Sequence, residues 1–302
     1  MKNAVYKRDI KFFILAGGYG KRARPLSLVK PKPIFPLHGT PLIHILLNGI
    51  KKIGFKEGFI NLHYKPEAIR DNIGKNTGLT ITYLYEEQLS GNKILKQAAG
   101  DMDEWLFVLN GDVFIEVAKI PIKKMAHELM ETGADGALLL RKNKNPAYKS
   151  VITEKGFFKG TEINKGGESF MYTGAALFRK KIIEKIDHIR FFDTLEKNPF
   201  KVKIYLYEGL WLDIGTPRLY FDSNTRYKNH IKKDSTLNSF SGDVTIAAES
   251  TVENSIIWEN TRITGNSALS NCIVTGNLAL HNANFSNKII YSLGKKMKVK
   301  RF

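Results

Sequence analysis

Three glycines within four positions, Gly17, Gly18 and Gly20, stand directly behind a short apolar run. Five cations follow within twelve residues: Lys21, Arg22, Arg24, Lys30 and Lys32. Glycines after a strand let the backbone approach a phosphate and aim its N–H groups at it. Alone they would mark a tight turn equally well. The cations add weight to the phosphate reading, because Pro25, Pro31 and Pro33 hold them on a stiff segment rather than a flexible tail. The spacing is neither the ATPase phosphate loop, which ends in Gly-Lys-Ser/Thr, nor the six-residue dinucleotide fingerprint. The expected ligand is a small polyanion.

Two aspartates stand out further along. Asp112 follows Leu109-Asn-Gly, just past the apolar run 105–109. That is the carboxyl end of a predicted strand, where open α/β sheets bind ligands; a turn aspartate is the plain alternative. Asp213 lies in Leu210-Trp-Leu-Asp-Ile-Gly-Thr-Pro, where an unpaired charge among apolar neighbours is costly. It therefore needs a partner or a metal. The seven histidines show no paired spacing of the H-E-x-x-H kind, and His281 in the C-terminal region reads as a surface position. Trp105, Trp211 and Trp258 have apolar strand neighbours and read as core.

These residues need a scaffold. Phe12–Leu15, Glu57–Leu62, Thr80–Tyr85 and Trp105–Leu109 read as strands, and Pro41–Ile53, Glu67–Ile73 and Ile94–Ala99 as helices between them. Such alternation predicts βαβ units on a mostly parallel sheet covered on both faces. Gly136–Arg141, Val202–Tyr207 and Leu210–Leu212 add strands, and Lys180–Ile186 a helix. After about Lys232 proline disappears and Asn, Ser and Thr become frequent. Ile246, Val252 and Ile257 recur 17 residues later as Ile263, Leu269 and Val274, and Phe285-Ser-Asn-Lys-Ile-Ile gives a third copy. Three apolar residues per copy predict a short parallel β-helix of about three coils. The expected divisions are an α/β domain over 1–232, the β-helix over 233–294 and a solvated, poorly ordered basic tail over 295–302.

The chain has 302 residues with 47 Lys+Arg against 29 Asp+Glu, a net charge of +18, and 43% hydrophobic residues. A sizeable core is expected and intrinsic disorder is not. The single Cys272 excludes a disulfide framework and a Cys-rich zinc site, and fits a reducing compartment. The N-terminal cations Lys2, Lys7, Arg8 and Lys11 precede an apolar run of only Phe12 to Ala16, too short for a secretory signal. No stretch reaches the length of a membrane span. A cytoplasmic location is expected, without a membrane or nucleic-acid partner.

Residues 15–36 resemble the signature of the sugar nucleotidyltransferases, also called nucleotide-sugar pyrophosphorylases: L-A-G-G-x-G-T-R-L-x-P-L-T followed by P-K-P-L-x-P-V. Asn110-Gly-Asp resembles the family's N-G-D. Trp211 to Tyr220 resembles W-x-D-I-G-T-P-x-x-Y, with Tyr220 seven after Asp213. In that family a sugar 1-phosphate attacks the α-phosphorus of an NTP, giving an NDP-sugar and pyrophosphate. The resemblance implies a Rossmann-like nucleotidyltransferase fold, with the β-helix left-handed. It implies Arg22 and Lys32 as catalytic residues, and nucleotide binding by Leu15, Ala16, Gly17, Gly18, Gly20, Lys21, Gly91, Asn110 and Gly111. It further implies Asp112 and Asp213 as joint ligands of magnesium (Mg2+), and sugar-phosphate binding by Glu162, Thr173 and Gly174. Phosphoryl transfer, being mostly positioning and charge neutralisation, calls for such a metal beside Arg and Lys.

The chain departs from the family pattern in places. Lys21 stands where the family usually has Thr, and Ser90-Gly-Asn-Lys where it has a Gly-Thr-Gly or Gly-Thr-Ala base-reading loop. Ile163-Asn-Lys follows Glu162 in place of Glu-Lys-Pro. Tyr172-Thr-Gly-Ala-Ala-Leu-Phe resembles the family's N-T-G-x-Y-x-F strand. Asn145-Pro-Ala-Tyr resembles the branch acting on N-acetylmuramic acid 1-phosphate, whereas the β-helix resembles mannose-1-phosphate guanylyltransferase-like members. GTP with mannose 1-phosphate is the leading substrate expectation, and a homo-oligomer is expected by resemblance. The alternatives are a UTP-dependent enzyme acting on an amino-sugar or muramic-type 1-phosphate, or a non-catalytic homologue that senses NDP-sugars.

Overall fold

The computed structural model of the protein describes residues 10–143, 145–164, 167–187, 190–231, 238–294 and 296–301. Lys2, Lys7, Arg8, Lys165, His188 and the predicted boundary at 232–233 lie outside them. Strands β1 (Ile10–Leu15), β2 (Glu57–Leu62), β3 (Thr80–Tyr85) and β4 (Trp105–Asn110) fall where the apolar runs place them. Phe12, Phe13 and Ile14 are wholly buried. A strand covered on both faces has no reason to alternate, which explains the unbroken run. Helices α1 (Leu42–Lys52) and α2 (Pro66–Ile73) link β1 to β2 and β2 to β3. The stretch expected as a helix at Ile94–Ala99 belongs instead to a 3-10 segment, Gly91–Ala99. It opens on Gly91 at φ 63° without a side-chain cap, and a short helix under such conditions tightens.

The chain continues through β5 (Val113–Ile115), α3 (Ile122–Glu131), β6 (Gly136–Asn143), β7 (Ser150–Glu154), β8 (Phe157–Glu162) and β9 (Ser169–Arg179). Then come α4 (Lys180–Lys185), α5 (Phe191–Lys197), β10 (Val202–Leu206), β11 (Trp211–Asp213) and α6 (Pro217–Ile231). Nine strands form one sheet in the order β3-β2-β1-β4-β9-β6-β10-β8-β7. Pairing is parallel from β3 through β4 and between β6 and β10. Strands β9 and β8 run against the rest, so the sheet is mixed but mostly co-directional. One core cluster packs α1, α2, α3 and α6 on the first face; another packs the 3-10 segment, α4 and α5 on the second. Strands β5 and β11 pair in a separate antiparallel ribbon, with Asp213 opposite Val113.

Beyond residue 238 the chain forms a parallel β-helix. The copies seen in sequence are the strand partners: Ile246 pairs with Ile263, Val252 with Leu269, Ile257 with Val274 and Leu269 with Phe285. The abundant asparagines occupy corners. Asn254, Asn271 and Asn287 have φ of 43°, 51° and 55°, a left-handed turn that asparagine tolerates better than most residues. They also stack: Asn254 donates to Asn271 in the coil above, and Asn260 to Asn277 at 3.2 Å. The basic tail departs from expectation. Lys296–Arg301 is a strand paired antiparallel with Lys288–Leu293, so backbone hydrogen bonds order a segment with little apolar content.

The β-helix docks on the segment that follows the glycine loop. Trp258, fully buried, lies 5.3 Å from the Phe35 ring and donates its indole N–H to the Tyr220 hydroxyl at 3.0 Å. Tyr220 in turn donates to the Pro36 carbonyl at 2.6 Å. Asn224 Oδ1 accepts from His38 N at 2.8 Å and Ser239 Oγ at 3.2 Å. The two parts therefore share one packed seam.

Candidate active site

Strands β1 and β4 end side by side, with Leu15 opposite Asn110 and Gly111 N donating to Leu15 O at 2.8 Å. A Cβ on Gly111 would stand 2.8 Å from that carbonyl, so only glycine permits the approach. Past these ends the glycine loop and the Asp112 turn enclose a cleft of about 430 Å³. Of the residues expected to bind nucleotide, Leu15, Ala16, Gly17, Gly18, Gly20, Lys21, Gly91 and Asn110 line it, together with Arg22, Lys32 and Asp112. Gly20 holds φ 63°, and a side chain there would press on the Lys32 stem at 3.2 Å. Lys32 is buried, at 7% exposed, and its ammonium pairs with Asp112 Oδ2.

Not all five cations serve this cleft. Lys21, Arg22 and Lys32 line it. Arg24 does not, and Lys30 points to the β-helix, paired with Glu259 and 4.6 Å above the Trp258 ring. The expectation that all five converge on phosphates is corrected accordingly. The single turn Leu26–Val29 between Arg22 and Lys30 carries the chain out of the cleft and into the seam.

A polar network missed in the sequence positions the loop. Asn61 Oδ1, buried at the end of β2, accepts from Ala16 N at 2.7 Å, and its Nδ2 donates to Glu86 Oε2 at 2.5 Å. Glu86 Oε1 accepts from Ser90 N at 2.9 Å and Ser90 Oγ at 2.5 Å. His63 bridges the Glu86 carbonyl and the Tyr19 hydroxyl, each at 2.8 Å. Glu86 thus ties the glycine loop to the loop that opens the 3-10 segment. Asn92, Leu89 and Asn61 join the cleft lining.

A second cleft of about 530 Å³ is walled in part by β11. Asp213 lines it with Tyr148, Trp211, Asn143, Asn145, Arg141, Lys142 and Arg226. Asp213 is 9% exposed; Gly215 N donates to its Oδ1 at 2.6 Å and the Tyr148 hydroxyl to its Oδ2 at 2.6 Å. Burial first, and then the Asp213 carboxylate, push the Tyr148 phenol well above its ordinary value, so it stays a donor. Arg22 Nη2 and Asp213 Oδ1 both lie within about 3 Å of the point where a Gly215 Cβ would stand, at 3.1 Å and 2.8 Å. The arginine of the first cleft thus reaches the aspartate of the second. Because Asp213 pairs with Val113, Asp112 stands one residue before Asp213's partner in the ribbon.

The residues expected at the sugar phosphate are less united. Thr173 is fully buried, donating to Leu139 O at 2.8 Å and accepting from the Trp211 indole at 2.7 Å. Gly174 holds φ 90°, and a Cβ there would stand about 3 Å from the Asn110 and Val113 side chains. Neither Thr173 nor Gly174 lines either cleft. Glu162 lies at the end of β8, opposite Ser150, and lines neither cleft. Trp105 and Trp258 are core as expected, and Trp211, though buried, also walls the second cleft. His281 is exposed and holds no acid partner.

Among the described residues no three His, Cys, Asp or Glu side chains gather as a metal cage. Asp112 and Asp213, two carboxylates brought near one another by the β5–β11 ribbon, suit a hard cation that takes its other oxygens from water and substrate. Also among them, no helix is long and apolar enough to cross a membrane.

A putative mannose-1-phosphate guanyltransferase of Sulfolobus acidocaldarius is 27% identical over 227 residues, covering 71% of this chain and 62% of that protein. The mannose-1-phosphate guanyltransferase of Candida albicans is 27% identical over 252 residues, covering 74% and 66%. The chain therefore spans less than two thirds of these relatives' length. Among solved structures, HddC from Yersinia pseudotuberculosis superposes with a TM-score of 0.63 at 24% identity, covering 72% of this chain and 99% of that one. A putative glucose-1-phosphate thymidylyltransferase from Bacillus anthracis gives 0.62 at 18% identity, covering 73% and 96%. These likenesses fix the fold of the α/β part. The family described as nucleotidyl transferase matches residues 11–230, most of the chain and every strand of the nine-stranded sheet bar the first residue of β1. With the glycine loop, Arg22, Lys32 and both aspartates inside that span, the chain belongs to the nucleotidyl transferase family.

Proposed function

We propose that the protein joins an NTP to a sugar 1-phosphate, releasing an NDP-sugar and pyrophosphate. The observation that carries this reading is the adjacency of two clefts, one lined by Arg22, Lys32 and Asp112 and the other by Asp213, with Arg22 and Asp213 both close to Gly215. In the reaction a phosphate oxygen of the sugar phosphate bonds to the α-phosphorus in line. The bond from that phosphorus to the bridging oxygen breaks, and pyrophosphate departs with the electron pair. No side-chain nucleophile is needed. The glycine loop at Gly17, Gly18 and Gly20 would present backbone donors to the triphosphate, and Arg22 and Lys32 would neutralise charge as it moves. Magnesium held by Asp112 and Asp213 would supply further neutralisation on both substrates' phosphates.

Lys32 now rests on Asp112, so nucleotide binding would draw its ammonium onto phosphate and leave the carboxylate for the metal. The relatives' names support GTP and mannose 1-phosphate as the leading pair. Asn145-Pro-Ala-Tyr, which lines the second cleft through Asn145 and Tyr148, supports UTP with an amino-sugar or muramic-type 1-phosphate as the second reading. The test is pyrophosphate release by Asp112→Ala and Asp213→Ala. Each loses at least about 10²–10³-fold in kcat, the scale of removing one charge-stabilising group. Full activity in either, with circular dichroism unchanged, rejects the mechanism.

A further inference from the structure

The second cleft carries more positive charge than the proposed chemistry uses. Arg141, at the end of β6, and Arg226, on α6, line it together with Lys142. Arg141 is half-buried: its guanidinium lies 5.3 Å over the Trp211 ring and donates to the Trp211 carbonyl at 3.5 Å. Among the described residues none of the three cations has an ion-pair partner. The two carboxylates that share the cleft are engaged elsewhere. Asp213 takes Tyr148 and Gly215, and Asp222 takes Arg218 at 3.2 Å. Lys142 and Arg226 are exposed, so the charge that lacks both a direct partner and full solvation is that of half-buried Arg141, and an anion in the cleft would offset it. The Arg141 guanidinium feels that cost: burial first, then Arg226, hold its pKa below the ordinary arginine value. Surface solvation does not account for a guanidinium stacked on tryptophan.

We propose that Arg141 and Arg226 form an oxyanion receptor in the second cleft, taking an acidic group of the substrate that binds there. A guanidinium pair suits a planar or tetrahedral oxyanion by its fork of N–H donors. The receptor rests on the reading of this cleft as the sugar-phosphate site, and it deepens that reading. It supplies cations to a cleft that Glu162 does not line, in a chain where Ile163-Asn-Lys stands after Glu162 instead of the family's Lys-Pro. The acidic group is either the 1-phosphate itself or a second acid on the sugar, such as a carboxylate.

The test is calorimetric binding to the whole chain of mannose 1-phosphate, glucose 1-phosphate, glucuronic acid 1-phosphate, inorganic phosphate and neutral mannose. The wild type binds the anions and not mannose. Arg226→Gln and Arg141→Gln each weaken binding by at least about tenfold, the scale of a lost charge-assisted hydrogen bond. Arg141→Lys keeps most of the affinity, which separates charge from packing on Trp211. Equal losses for all three sugar phosphates identify the 1-phosphate as the group held. Loss confined to glucuronic acid 1-phosphate identifies a second acid. Wild-type affinity for every anion in both glutamine variants, or no anion binding by the wild type, overturns the receptor. The transferase reading is tested apart from it. Anion binding through the pair without pyrophosphate release contradicts only the transferase; pyrophosphate release with unchanged KM for sugar phosphate in both variants contradicts only the receptor.

Discussion

Asp213 shows how much preparation a single carboxylate receives. Two donors fix its oxygens, and Ser223 Oγ donates to its main-chain carbonyl at 2.9 Å. Removing the Tyr148 hydroxyl leaves one oxygen of a buried carboxylate without its partner. Tyr148→Phe is expected to cost about 1–3 kcal/mol by urea unfolding. Because the folded phenol titrates higher than the unfolded one, Tyr148 contributes stability fully below the unfolded pKa of about 10. That contribution is lost as pH rises further, so the wild-type advantage over Tyr148→Phe shrinks above pH about 10. At the opposite cleft, Glu86→Ala frees both Asn61 and Ser90. The expected result is a rise of about tenfold in KM for the nucleotide, with a smaller change in kcat; a loss confined to thermal stability would mean that Glu86 does not position the site. Arg22, Lys32, Asp112 and Asp213 were legible because each sits in a short local pattern. Tyr148, Asn61 and Glu86 were not, since their partners lie 65, 45 and 25 residues away.

Among elements, the β-helix was the most legible, because its 17-residue copy is the strand pairing itself. Its corners make a local prediction. Asn271→Ala forces alanine into φ 51° and breaks the ladder from Asn254, at a cost of about 1–2 kcal/mol. Asn271→Gly keeps the turn and loses only the ladder, so its midpoint in thermal unfolding should fall between the two. The strands of the parallel block were legible as apolar runs for the complementary reason, burial on both faces. Helix α6 and the strand Lys296–Arg301 were not. Helix α6 is largely polar, and strand 296–301 is ordered by main-chain pairing rather than by an apolar pattern. Strand β9 could not be assigned a direction from composition, because parallel and antiparallel neighbours impose the same apolar content on a fully covered strand.

For the whole molecule, the seam between the two parts matters most. Lys32 faces the nucleotide cleft, while Lys30, two residues earlier, is held by Glu259 and Trp258 of the β-helix. The segment that carries Lys32 into the first cleft is therefore braced by the C-terminal part. Trp258→Ala opens a cavity in this seam and should cost about 3–5 kcal/mol by chemical unfolding. The charge of +18 divides in a way no composition could show. Three cations of the signature segment face the first cleft, three others face the second, and exposed lysines on strand 296–301 take a further share.

The central claim is that these two clefts exchange a nucleotidyl group. The most direct measurement is pyrophosphate release by the purified chain across GTP, UTP, ATP, CTP and dTTP against several sugar 1-phosphates, with magnesium present. Release is expected only when both substrates are present, greatest for GTP with mannose 1-phosphate, and none from Asp213→Ala. Nucleotide binding without pyrophosphate release from any pair would contradict that claim.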